Sequence, residues 1–83
     1  MENKQKIKIL ELSFQIMENL LMSKEFASKD EVMSSAKKAV DISSKDGKMP
    51  IEIKLAYAEA YKKLNGLTWE EMIEIKQIIG EDN

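Results

Sequence analysis

Glu70, Glu71 and Glu74 stand within five residues of one another, close enough for two carboxylates on one helical turn to share acid–base work. General acid catalysis would require one of them to be desolvated, with its pKa raised. The surrounding sequence argues the other way. Thr68-Trp69-Glu70-Glu71 reads as a capping box, placing Glu70 and Glu71 in a first helical turn, where the helix dipole keeps carboxylates ionised. Glu74 follows a turn later on a polar face. A structural role for all three is the expectation.

A second acidic stretch invites a calcium reading. Counting from Asp41, Ser43 falls third and Glu52 twelfth, as ligands of a calcium loop would. Lys45 then stands fifth, and Asp46 occupies the place where the sharp turn needs glycine. Shifting the frame to put Gly47 there moves Ile42 to the first ligand position. A polar interhelical loop is the better reading.

Other chemistry is bounded by what is missing. The chain has no Cys, no His and no Arg, which removes thiolates, imidazole proton transfer and bidentate guanidinium grips. Its three isolated glycines form no phosphate cradle, and its serines have no imidazole to activate them. Ser–Lys pairs stay open, although nothing singles one out. The expectation is no enzyme: no catalytic residue, no metal ligand, no cofactor and no small-molecule partner.

The charge balance bears on nucleic acid. All 13 basic residues are lysine, set against 15 acids, for a net charge of −2. Such a balance exerts no strong pull on phosphates. Leu67-Thr68-Trp69-Glu70-Glu71-Met72 resembles the opening helix of the helix-turn-helix unit in repressor-type proteins. That resemblance implies a recognition helix directly afterwards, and too few residues follow Gly80 to supply one. The other pairing, helix two into helix three, would present Glu52 and Glu59 to phosphates alongside Lys54, Lys62 and Lys63. A DNA-binding transcriptional regulator with Lys-based phosphate contacts is therefore the alternative reading.

The elements behind these residues are helical. Ile7, Leu10, Phe14, Met17 and Leu21 follow a 3-4-3-4 spacing, an a/d seam, with Ile9, Leu12, Ile16 and Leu20 as a second row beside it. Ser28-Lys29-Asp30-Glu31 caps a second helix carrying Val32, Met33, Ala36, Ala39 and Val40 on one face. Asp46-Gly47 turns the chain, and Pro50 suits the first position of a third helix. Its main face holds Ile53, Tyr57, Ala60, Tyr61 and Leu64, with Ile51, Leu55 and Ala58 opposite. Asn65-Gly66 is expected to end it with a left-handed residue, and Gly80 to stop the fourth. The spacing predicts helices near 3–22, 29–43, 50–64 and 68–79. The fold class is all-α: one domain over residues 1–83, a compact four-helix bundle built on a central, long N-terminal helix.

With no disulfide, stability rests on apolar burial, and zero Cys suits a reducing, cytoplasmic setting. Glu11, Gln15 and Glu18 interrupt the N-terminal apolar stretch, so neither signal peptide nor membrane span is expected. Helices one, three and four each carry more apolar circumference than one buried stripe requires. That surplus predicts a non-catalytic protein–protein interaction or regulatory module, self-associating as a homodimer, of the small bacterial or phage kind. Met17, Leu21, Trp69, Met72, Ile73 and Ile79 are the candidate interface. The competing reading is that the other three helices wrap the first and all of it is core.

Overall fold

A computed structural model describes residues 3–23 and 26–82. Four helices follow in order: α1 Asn3–Ser23, α2 Lys29–Lys45, α3 Ile51–Asn65 and α4 Trp69–Asp82. Each begins within one residue of its expected start, because the start signals are local chemistry. The Ser28 hydroxyl accepts from the Glu31 amide at 3.4 Å, while the Glu31 carboxylate accepts from the Ala27 amide at 3.0 Å. Thr68 and Glu71 exchange the full reciprocal pair, at 3.2 and 3.0 Å. Pro50 sits just before α3, and its carbonyl accepts from the Ile53 and Lys54 amides.

The ends differ more from expectation. Helix α2 runs on to Lys45, since the Ser43 and Ser44 hydroxyls bond back to the carbonyls of Val40 and Asp41 within the helix. Gly66 has φ −79° and is right-handed, its amide shared between the Lys62 and Lys63 carbonyls. A tightened last turn thus replaces the expected left-handed cap. Gly80 does not stop α4, which continues to Asp82. Glycine terminates a helix by taking positive φ, and no described glycine does so.

Helix α1 touches all three others, most extensively α3, and α3 also packs on α2. Lys8 pairs with Glu52 near the first turns of α1 and α3, while Lys63 near the end of α3 lies over Phe14. The two helices therefore run in the same direction. Small side chains occupy their inward rows: Ser13 on α1, Ala56 and Ala60 on α3, all essentially without solvent contact. The Ser13 hydroxyl is satisfied by the Leu10 carbonyl at 2.7 Å, so its burial leaves no orphaned group.

The inward row of α1 is a correction to the expected seam. Ile9, Ser13, Met17 and Leu21, spaced by four, are buried, with Leu12, Ile16 and Leu20 half-buried beside them. Ile7, Leu10 and Phe14 face out. A four-residue ridge is what one helix offers to a neighbour crossing it at an angle, whereas an a/d seam serves a nearly parallel coil. Met17, Leu21, Val32, Ala36, Ala60, Leu64 and Met72 close the core, flanked by Phe26, Tyr61, Leu67 and Trp69.

Leu64→Ala, at a fully buried position, should cost about 2–5 kcal/mol in urea unfolding, whereas Ile42→Ser on the wet side of α2 should stay within about 0.5 kcal/mol. Gly80→Ala should raise the melting temperature. Nothing lies within 4 Å of the added methyl, and alanine in a helix gains up to about 1 kcal/mol over glycine.

Candidate functional site

Several acidic residues are taken up by helix caps, a turn and ion pairs. Glu71 accepts from the Thr68 amide, and that bond, with its partner to the Thr68 hydroxyl, holds the Glu71 carboxyl below its ordinary value. General acid catalysis needs the opposite direction. Glu70 and Glu74 are exposed. In the α2–α3 loop the Asp46 carboxylate accepts from the Lys48 amide at 2.8 Å, closing the turn on itself. Glu52 reaches α1, where Lys8 approaches to 2.9 Å and lowers its pKa by hydrogen bonding and charge. Among the described residues no group of three His, Cys, Asp or Glu could hold a metal ion. None of their helices is long and apolar enough to cross a membrane.

The six candidate interface residues are divided by the fold. Met17, Leu21 and Met72 lie in the core. Trp69 and Ile79 are half-buried, and Ile73 is exposed. Leu21, Trp69, Met72 and Ile73 line a narrow cleft with Phe26, Val32 and Lys76. Four of the six, Leu21, Trp69, Met72 and Ile73, thus share one cleft, most of it closed to solvent.

A different set forms an open face. Ile7, Leu10 and Phe14 stand outward on α1 with 56, 40 and 57% of their surface wet. On the adjoining α3, Ile51, Leu55 and Ala58 are exposed along one stripe. Between the two helices runs an open groove of about 380 Å³, walled by Ile9 and Leu10 on one side and Leu55 and Ala58 on the other, with Lys6 and Lys62 also lining it. A shallower continuation passes Phe14, Lys63 and Leu67 to Ile75 of α4. Lys63 sits 5.4 Å above the Phe14 ring and 3.5 Å from Glu59, so the aromatic is partly fenced by charge yet still mostly wet.

Sequence reasoning passed over this face because it assigned Ile7, Leu10 and Phe14 to the core seam. The signal was present in the row Ile9-Ser13-Met17-Leu21, where a serine among apolar residues marks a close helix crossing.

The chain matches no family model, no curated protein and no solved structure.

Both depressed carboxyls have the same sign. Their folded pKa values lie below the unfolded ones, so their contribution is complete above the ordinary carboxylate range and is lost as pH falls through the folded values. Carbon-detected titration should find Glu52 and Glu71 titrating below the ordinary glutamate value. Lys8→Met should return Glu52 upward, and Thr68→Ala should do the same for Glu71.

Proposed function

We propose that this chain is a non-catalytic protein–protein interaction module that works through the outer face of α1 and α3, and that it associates with a second copy of itself. The observation that carries the reading is the wet stripe of Ile7, Leu10 and Phe14 beside an apolar groove. Singly exposed hydrophobics are ordinary, but a contiguous face built from two adjoining helices is the usual form of a docking surface. A second copy suits this face, which carries exposed Lys4 toward one end of α1 and exposed Glu18 toward the other. A cytoplasmic setting accords with the absence of cysteine.

The face has the composition expected of an interface core. Phe14 is its largest side chain, with Ile7 and Leu10 exposed on the same helix and Glu11 set between them. Glu59, the nearest acid on α3, is already paired with Lys63. Regulation by occupancy, in which the associated chain covers or presents this face to another protein, is the role such a module can perform without reactive groups.

Sedimentation over a wide concentration range tests the reading. The wild-type chain should show a concentration-dependent dimer. Phe14→Glu should leave helicity and melting intact, because Phe14 is outside the core, while weakening association by about 2 kcal/mol, roughly thirtyfold. A wild-type chain that stays monomeric at its highest soluble concentration would overturn the proposal.

A further inference from the structure

We infer that two copies meet along α1 in antiparallel register, with Ile7 of each against Phe14 of the other and Lys4 of each beside Glu18 of the other. This inference rests on the self-association proposed above and specifies its geometry. Lys4, Ile7, Glu11, Phe14 and Glu18 are spaced alternately by three and four, and all are exposed. They therefore form one stripe along the outside of α1. The stripe is polar in charge: a lysine at its N-terminal end, a glutamate at its C-terminal end, and two large apolar residues between. Neither Lys4 nor Glu18 takes part in an ion pair among the described residues.

Two such stripes can lie against each other in two ways. Laid parallel, they put Lys4 on Lys4, Glu11 on Glu11 and Glu18 on Glu18, three like-charge approaches with the helix dipoles aligned. Laid antiparallel about a point near Leu10 and Glu11, they align residues whose numbers sum to 21 or 22 (7 + 14 and 4 + 18). Ile7 then covers Phe14, whose other side is under Lys63. Two opposite-charge pairs form at the ends, and only the two Glu11 carboxylates approach with like charge. The dipoles oppose, which is the favourable sense. A closed two-fold interface of this kind uses the same patch twice and stops at two copies.

Charge reversal on the intact chain separates this register from self-association of any kind. Lys4→Glu places an acid in the first turn of α1, and Glu18→Lys places a base toward its last turns. Each change suits the dipole of its own helix, so neither should unfold the chain. In low-salt sedimentation each single reversal should weaken the dimer about tenfold, because both end pairs become repulsive. The double reversal, Lys4→Glu with Glu18→Lys, should restore wild-type association. Singles without effect, or a double as weak as the singles, would overturn the antiparallel register while a Phe14→Glu defect still upheld self-association. A wild-type chain that never associates would remove both.

Discussion

The close crossing of α1 and α3 governs the rest of the molecule. Helices approach most closely where side chains are smallest, and here Ser13, Ala56 and Ala60 occupy the inward rows. Once that crossing is set, the rotation of α1 about its own axis is no longer free. The row through Ile9, Ser13, Met17 and Leu21 points in; Leu12, Ile16 and Leu20 on one flank are half-buried, while Ile7, Leu10 and Phe14 on the other are wet. An exposed aromatic on this surface is thus a consequence of interior geometry rather than of any local preference of phenylalanine for water.

Burial of a few medium-sized side chains completes the structure. Leu64 and Met72 are the largest groups sealed from solvent, with Val32 beside them. A core so modest leaves little margin, since small domains hide a smaller fraction of their surface than large ones. Helix caps matter correspondingly more. Thr68 and Glu71 form a reciprocal pair at the start of α4, and Lys29 reaches across to the Asn65 carbonyl at 2.9 Å. That contact ties the start of α2 to the end of α3.

What could be read in advance followed the range of the forces involved. Capping boxes are complete within four residues, so the starts of α2 and α4 were legible, as was the count of four helices. The inner faces of α2 and α3 were legible too: Val32 and Ala36, and Ala60 with Leu64, are buried as their spacing implied. Helix α1 was less legible because it is apolar around more than half its circumference. Periodicity then admits two inward directions, and only the partner helix chooses between them. Met17 and Leu21 belong to both rows, which is why they were placed among exposed candidates and found in the core. Glycine misled for a related reason. Its effect depends on the backbone conformation demanded of it, and neither Gly66 nor Gly80 is asked for a left-handed turn.

The hydroxyls of Ser13 and Ser43 each bond a carbonyl three residues back in their own helix. Neither tethers one helix to another. The directional contacts between α1 and α3 lie elsewhere, in the Lys8–Glu52 pair and in Lys63 over Phe14, and at Ser13 itself packing carries the fit. A one-carbon change in the bulk of that side chain would turn the helix a little and alter which groups meet the solvent, without disturbing a single cap. What this protein displays to solvent is thus tied to an interior position, and drift at one buried side chain could revise its surface.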